Sequence, residues 1–424
     1  MTRHQSRLLS RLRHFALENS AFYRLFHRGL ANRALEDLPV LTKSILMENF
    51  DRLVTDRNLR LAEIQKFLDS EPGPNLFRGR YVVLMTSGTT GSHGVFVFNP
   101  GEWITVLANV LRPVAWASSG GPGSGPRRAA IIASANSWHH SARVASSLAT
   151  PSLLHLDAAE PLDHLVRRLN DWQPEFLTGY PPIIRLLAEE QIAGRLHLNV
   201  QRVATSAAVL TGETRARVRE AWKTNICDSY NATEYSPIAA ECPLGNKHLF
   251  EDGAIIEIVD GEGRAVPPGT CGERVLLTVF ARRTQPLIRY EITDRVRPAA
   301  GECGCGRKLQ LIEDVEGRVR DVLRFPAAGD GKEVVLIYPT LFYAILDPVA
   351  TGWQLMHDQN GLWVSLTGVR DPSRIPDIAQ AVRMTLESRG AQAPPIHVRE
   401  VAAFETGATG KVPLVLSRIP NRTN

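Results

Sequence analysis

No stretch of the 424-residue chain reaches 18 consecutive apolar residues, so no membrane-spanning helix is expected. Cysteine is scarce. Five thiols are spread over the whole length, an odd number that excludes a secreted disulfide scaffold. It points instead to a reducing, cytoplasmic setting, where close Cys and His groups more often bind metal. Excess charge is small too: 49 Lys+Arg against 44 Asp+Glu leave a net +5. Without a clustered basic patch this gives no reason to expect a nucleic acid or a membrane surface as partner. Internal repeats are absent. Intrinsic disorder is excluded, because 44% hydrophobic and 22% charged residues are ordinary values for a folded chain. The length corresponds to two or three domains.

The N-terminal MTRHQSRLLSRLRHFALENSAFYRLF is Arg-rich, as transit peptides are. Its Leu8, Leu9, Leu12, Phe15 and Ala16 fall on one helical face, and Glu18 is unusual in a transit peptide. A structural amphipathic helix is the expectation. The first 75 residues read as helical and polar, with turn signals at Pro39 and at Glu71-Pro72-Gly73-Pro74. Arg80-Tyr-Val-Val-Leu-Met then reads as a buried strand entering a Gly/Ser/Thr loop. Asn99-Pro100-Gly101-Glu102 is a helix start, with a capping residue, an early proline and an acid. Residues 118–126, SSGGPGSGP, are too rich in Gly and Pro for regular structure and read as a flexible surface loop.

From 128 to 230 short apolar strands alternate with helices, which predicts an α/β layer with a mostly parallel sheet. Residues 248–325 change to period-two strands with Gly/Pro turns, an antiparallel, barrel-like pattern. The last hundred residues read as a small α+β domain. A helix around PTLFYAIL is followed by a hairpin turning at Gln359-Asn360-Gly361.

Thr86-Ser-Gly-Thr-Thr-Gly-Ser-His-Gly94 follows a strand. Its glycines let backbone amides converge on an anion, and its hydroxyls add donors without bulk. The Gly-Lys-Ser/Thr ending of a Walker loop is missing, and the G-x-x-G-x-x-G spacing is not a dinucleotide fingerprint. Alone, it is equally a polar turn between two strands.

The Thr-Ser-Gly-Thr-Thr-Gly core resembles the phosphate loop of the adenylate-forming superfamily: acyl-CoA synthetases, peptide-synthetase adenylation domains and luciferase. Four further segments resemble that superfamily's motifs in order. They are Tyr230-Asn-Ala-Thr-Glu234, Arg289-Tyr-Glu-Ile-Thr-Asp294, the hinge-like Gly317-Arg318-Val-Arg320-Asp321, and Gly407-Ala-Thr-Gly-Lys411. HFALENSAFYRLF and LEDLPVLTKSILMENFDRL are similar to the start of phenylacetate–CoA ligases and deazaflavin-adenylating relatives. The resemblance implies an adenylation domain over residues 1–318. This comprises a helical segment (1–75), an α/β core (76–235) and a β subdomain (236–318). A mobile α+β lid over residues 319–424 would follow.

By the same resemblance, a carboxylate attacks the α-phosphate of ATP, giving an acyl-adenylate and pyrophosphate. Thr86, Ser87, Gly88, Thr89, Thr90 and Gly91 would hold the β- and γ-phosphates. Glu234 would bind Mg²⁺, a hard cation suited to a carboxylate, next to Thr233. Tyr230 would stack on adenine, and Asp228 could accept from its exocyclic amine. Ser206, Ala207 and Ala208 would border the base, although relatives often carry a glutamate at the place of Ala208. Asp294 would accept from the ribose hydroxyls, with Arg318 reaching the ribose or the α-phosphate. Arg320 and Asp321 would form the hinge. Lys411 would meet the α-phosphate and the attacking carboxylate when the lid closes. Ser92-His93 stands where many relatives carry Pro-Lys, and Pro413 follows Lys411 closely.

Cys303-Gly-Cys305 and Cys242-Pro-Leu-Gly-Asn-Lys-His248 supply three thiols and an imidazole, enough for a closed structural zinc site. The spacings are not the usual ones, and ordinary reduced cysteines are the alternative. Some phenylacetate–CoA ligase relatives resemble this pattern. Cys227 and Cys271 lie in apolar strand patterns and read as buried thiols. Trp138, His139 and Tyr180 are candidate walls of an acyl pocket, and two aromatic faces suit an aryl or arylacetic acid. Coenzyme A is the leading acceptor. An amine, a carrier-protein thiol or no acceptor (an AMP ester) are the alternatives, and a non-catalytic scaffold is a third reading. The expected partners are a small carboxylic acid and ATP, with a homodimer or a carrier protein left open.

Overall fold

The computed structural model describes residues 2–70, 75–86, 94–116, 128–134, 136–158, 160–318, 323–328, 334–337, 342–346, 349–369, 371–405 and 413–419. The chain divides into two compact units. One comprises residues 1–210 and 218–315; the other comprises residues 316–424 with the short segment 211–217. The hypothesised loop at 118–126 lies outside the described residues. Among those residues no helix is long and apolar enough to cross a membrane.

The first unit begins with the helix Arg3–Asn19, capped by Thr2, whose hydroxyl accepts from the Gln5 amide while Gln5 returns the bond. Leu9, Leu12 and Ala16 are buried, whereas Leu8 and Phe15 are half-buried. The expected apolar face is therefore the packed one. The chain next passes Pro39 and lies beside a later strand through Leu41, whose amide donates to the Arg289 carbonyl at 3.0 Å. Arg289 clamps this junction. Its guanidinium donates to the carbonyls of Glu36 and Leu38 at 2.8 and 2.6 Å. It also pairs with Glu257 at 3.2 Å. Burial pushes the Glu257 carboxyl up, and the facing guanidinium opposes that shift. The arginine of the Arg-Tyr-x-x-x-Asp segment is thus a structural tie.

Strands β1 (Val82–Met85) and β2 (Val95–Phe98) form an antiparallel hairpin. The helix Pro100–Trp116 follows with the expected start. The Glu102 amide donates to Asn99 Oδ1, and the Asn99 amide donates back to Glu102.

Five parallel strands come next: β3 (Ala129–Ala133), β4 (Leu153–Asp157), β5 (Phe176–Gly179), β6 (Arg202–Ser206) and β7 (Ile226–Tyr230). Helices lie between them in sequence, as the alternation predicts. Beyond β7 the sheet changes direction. Strands β8 (Ala239–Glu241) and β9 (Lys247–Leu249) pair antiparallel, and the hairpin they form continues the sheet. A separate antiparallel sheet follows, made of β10 (Ala254–Val259), β11 (Arg274–Val279) and β12 (Tyr290–Ile292). Strands β13 (Asp294–Pro298) and β14 (Leu311–Arg318) return to the large sheet. Its order is β13-β14-β9-β8-β7-β6-β5-β3-β4 among the described strands. The period-two region is therefore shared between two sheets.

The second unit holds the hairpin β15 (Leu323–Pro326) and β16 (Val334–Ile337). A four-stranded sheet follows, built from β17 (Ala350–Asp358), β18 (Gly361–Val369), β19 (Ile396–Glu400) and β20 (Val415–Ser417) in the order β19-β18-β17-β20. The helix Ile375–Ser388 buries Ile378, Val382 and Leu386 in this unit's core. The hairpin turns at Gly361 with φ +141°, where a Cβ would meet the Pro395 carbonyl. The helix expected around PTLFYAIL is described only over Tyr343–Leu346.

Gly179 ends β5 opposite Ile132, and a Cβ there would lie 2.8 Å from the Ile132 carbonyl oxygen. Gly179→Ala is expected to destabilise the protein by about 1–3 kcal/mol, because backbone must move to admit the methyl. Urea unfolding of the variant measures this, and an unchanged midpoint would show that the sheet yields freely.

Candidate active site and metal centre

Adjacent parallel strands deliver their carboxyl ends to one edge, and several of the residues singled out in the sequence lie there. Open α/β sheets bind ligands at that edge, near a change of strand order. Ser206 is the last residue of β6 and Tyr230 the last of β7. Ser134 and Tyr180 follow β3 and β5 directly. Ala207 takes φ +68°, the left-handed region that side chains with a Cβ rarely enter.

The Tyr230 hydroxyl donates to Asp294 Oδ2 at 2.7 Å, and both residues are buried. Two motifs 64 residues apart thus meet in one hydrogen bond. Glu234 lies in the turn between β7 and β8 and is also buried, with Thr233 half-buried beside it. The Tyr290 hydroxyl hydrogen-bonds to Glu234. Burial, reinforced by the Glu234 charge, pushes the Tyr290 phenol well above its usual range, so it remains a donor.

Asp228 is held on both oxygens. Thr205 donates to Oδ1 at 2.7 Å, and the Lys247 ammonium lies 2.8 Å from Oδ2. Its amide donates to Glu241 Oε2 at 3.1 Å. Asp228 is therefore part of a buried polar network between β6, β7, β8 and β9. Lys247 and Glu241 escaped the sequence reading. The signal they left is that Lys247 alternates with His248 on a short strand, so the two must face opposite ways.

Of the proposed acyl-pocket residues, His139 and Tyr180 come together through Ser134. Its hydroxyl is 3.0 Å from His139 Nδ1, and its amide donates to the Tyr180 oxygen at 3.1 Å. Ser141 Oγ lies 3.2 Å from the same tyrosine oxygen. Trp138 instead is buried 5.3 Å from the Phe67 ring and belongs to the main core. Neither serine was singled out from the sequence.

Thr86 and Gly94 close the neck of the glycine-rich loop. The Thr86 amide donates to the Gly94 carbonyl at 2.9 Å, and the Gly94 amide donates to Thr86 Oγ1 at 2.8 Å. Ser87, Gly88, Thr89, Thr90, Gly91, Arg320, Asp321 and Lys411 lie outside the described residues. Arg318 is described only as the end of β14.

Cys242, His248, Cys303 and Cys305 converge, with ligand atoms all within 4.8 Å of one another. Two hairpin-like turns bring them together: β8–β9, and the loop between β13 and β14. The pairing Leu311↔His248 holds the second against the first. Cys242 Sγ and Cys303 Sγ are 3.7 Å apart, and Cys305 Sγ is 3.4 Å from His248 Nε2. A tetrahedron with metal–sulfur bonds of about 2.3 Å has edges of about 3.8 Å, so this spacing accommodates zinc. The Asn246 side-chain amide and the Cys305 amide point at Cys303 Sγ, at 3.2 and 3.5 Å. Such donors favour thiolate.

Burial raises the Cys305 thiol, but hydrogen bonds from Arg307 and its thiol neighbours outweigh that and bring it to about 7. Burial raises Cys242. It also lowers His248, leaving the neutral imidazole that a metal requires. The other two cysteines differ from expectation: Cys227 and Cys271 are half-buried. Cys271 precedes β11 outside any strand, and Cys227 bonds the Glu241 carbonyl at 3.3 Å.

No family model matches the chain. Two curated proteins are similar to it. Protein CapK of Staphylococcus aureus is 22% identical over 299 residues, 66% of this chain and 59% of that protein. The phenylacetate-coenzyme A ligase of Thermus thermophilus is 26% identical over 189 residues, 43% of this chain and 41% of that protein. The matches thus span about half the length of these relatives. Among solved structures, 2-hydroxyisobutyryl-CoA ligase with its acyl-AMP superposes with a TM-score of 0.72 at 18% identity, covering 97% of this chain and 89% of that one. The amide bond synthetase McbA from Marinactinospora thermotolerans gives 0.52 at 18% identity, covering 78% and 66%. The chain has the fold of the adenylate-forming ligases. The curated match to a phenylacetate-coenzyme A ligase agrees with the resemblance read from the N-terminal segments.

Lys247→Met should cost about 3–5 kcal/mol, because it leaves the Asp228 carboxylate buried and unpaired. Pairing it with Asp228→Asn should recover much of that loss. Chemical denaturation of the single and double variants tests the pair, and simple additivity would show that the two residues act independently.

Proposed function

We propose that this protein activates a carboxylic acid with ATP, forming an acyl-adenylate and releasing pyrophosphate. The observation that carries the reading is the buried Tyr230–Asp294 hydrogen bond at the carboxyl edge of the sheet, with Glu234 buried in the turn after Tyr230. In this reading Tyr230 offers a ring fixed by its own hydroxyl for adenine to stack on. Asp294 accepts from ribose hydroxyls. Ser206, Ala207 and Ala208 supply a backbone border for the base, since Asp228 is occupied by Lys247 and Thr205.

Glu234 fits a hard cation, being a carboxylate positioned by a phenol that stays protonated. Mg²⁺ bound there would neutralise phosphate charge. The glycine-rich loop, whose neck is the Thr86–Gly94 pair, would hold the phosphates. Lys411 would balance charge at the reacting carboxylate and α-phosphate.

The acid is of aryl or arylacetic type in this reading, with Tyr180 and His139 positioned by Ser134 as its walls. Coenzyme A is the proposed acceptor. The likeness to an amide bond synthetase supports an amine as the second choice. The four Cys/His side chains would hold zinc with no open coordination position, so its contribution would be to folding.

ATP–pyrophosphate exchange across a panel of aryl and aliphatic acids tests the activity, and product mass with coenzyme A or amines assigns the acceptor. Lys411→Ala is expected to lower exchange by about 100-fold or more with the fold retained. Exchange at the original rate would remove Lys411 from the mechanism. Absence of exchange with every acid would favour a non-catalytic scaffold.

About one zinc per chain is expected from metal analysis, by the four-ligand argument. Cys305 titrates near 7, below the ordinary thiol value. Above that pH its thiolate is already formed; below it, an extra proton must leave as metal binds. The apparent zinc affinity of the apoprotein should therefore fall more steeply with falling pH below about 7, which a competition titration would show.

A further inference from the structure

Arg307 follows Cys305 by two residues in the loop between β13 and β14 and is half-buried. Its guanidinium carbon lies 4.4 Å from the centre of the Trp116 ring, at the end of the helix Pro100–Trp116. The remaining contacts of that ring fix its position. Trp116 stacks on Phe250, with ring centres 4.8 Å apart and planes 6° from parallel. It meets the His248 imidazole edge-on, at 6.1 Å and 83°. Phe250 carries a second guanidinium at 4.3 Å, that of Arg112, which pairs with Asp252 at 2.9 Å. The indole therefore supports Arg307 while it contacts one of the four candidate metal ligands.

Backbone amides serve the three sulfurs in a repeated way. Cys242 accepts from the Leu244 amide, Cys303 from the Cys305 amide and Cys305 from the Arg307 amide. Each donor lies two residues after its acceptor. Arg307 goes further than the other two donors, because its side chain also donates to the Cys305 sulfur. A planar guanidinium can rest on an indole and still present N–H groups at its rim. Its charge also acts on His248.

Three thiolates and a neutral imidazole around a dication sum to one negative charge. Cys242, Cys303 and His248 are buried, and a net charge held away from water is costly unless an opposite charge stands beside it. Neighbouring Lys308 is exposed and pairs with Glu302. Hydrogen bonds to ligand atoms also orient them and tune the metal they hold.

We propose that Arg307, held on Trp116, is a positioning residue of the Cys/His centre: it orients the Cys305 sulfur and offsets the excess negative charge of a bound zinc ion with its thiolates. This inference rests on the metal-centre reading above and adds to it a residue that is not a ligand.

The test compares Arg307→Met and Arg307→Lys with the full-length wild type. Zinc-loaded protein is titrated with a chromophoric chelator at one pH, and protein expressed with Co²⁺ supplies an absorption spectrum. Arg307→Met keeps an apolar stem for Trp116 and removes the donors and the charge. It should weaken zinc binding by roughly ten- to a hundredfold. Arg307→Lys, which keeps the charge, should recover part of that affinity. The sulfur-to-cobalt charge-transfer band should move to lower energy in Arg307→Met, since a sulfur that has lost a donor gives up electron density more easily.

Unchanged zinc affinity in Arg307→Met overturns the proposal. So does a loss shared equally by Arg307→Met and Arg307→Lys with the cobalt band unmoved, which would mark Arg307 as loop packing alone. If the wild type binds neither metal, the metal-centre reading fails and this inference falls with it. Wild-type binding with unaltered variants sinks the inference and leaves the metal centre standing.

Discussion

Strand β7 pairs parallel with β6 on one side and antiparallel with β8 on the other, and that change of direction constrains everything around it. Its alternate residues Ile226, Asp228 and Tyr230 point to one buried face. Tyr230 ends at the carboxyl edge of the sheet, where it meets Asp294. Asp228, one repeat earlier, is buried with Lys247 and Thr205. The antiparallel return of β8 puts Glu241 opposite the Asp228 amide, and Cys242 follows at once. The polar network therefore lies between the Cys/His cluster and the edge that would hold the nucleotide.

That placement gives the cluster a consequence beyond its own loops. Ligating Cys242 and His248 would fix both ends of the β8–β9 turn, and Lys247 neighbours His248 on the same short strand. The position of the Lys247 ammonium against Asp228 thus depends on two three-residue strands, held in the large sheet between β7 and β14. A structural metal at one end of the hairpin would steady a carboxylate two residues from Tyr230.

The sequence was most legible where chemistry and backbone need the same residues. The alternation from 128 to 230, the Asn99–Glu102 capping box and the Gly361 hairpin all follow from local rules. The four metal-ligand candidates were identified despite unusual spacing, but their convergence depends on the Leu311↔His248 register, which no local pattern encodes. Lys247 and Tyr290 were missed for a common reason. The partner of each lies 19 or more residues away on another strand or turn. Trp138 shows the converse. Its neighbours Ser137, His139 and His140 suggested a pocket, yet the ring packs on Phe67 from the N-terminal helices. Aromatic character alone does not tell a core residue from a wall.

Ala207 sits at φ +68° beside the last residue of β6. Only glycine, asparagine and a few small residues adopt that backbone readily, and a β-branched side chain there would be strongly strained. The repertoire of side chains open to this position is consequently narrow. Drift in sequence would have to act through Ser206 and Ala208 on either side, with the main chain at Ala207 kept as a fixed point.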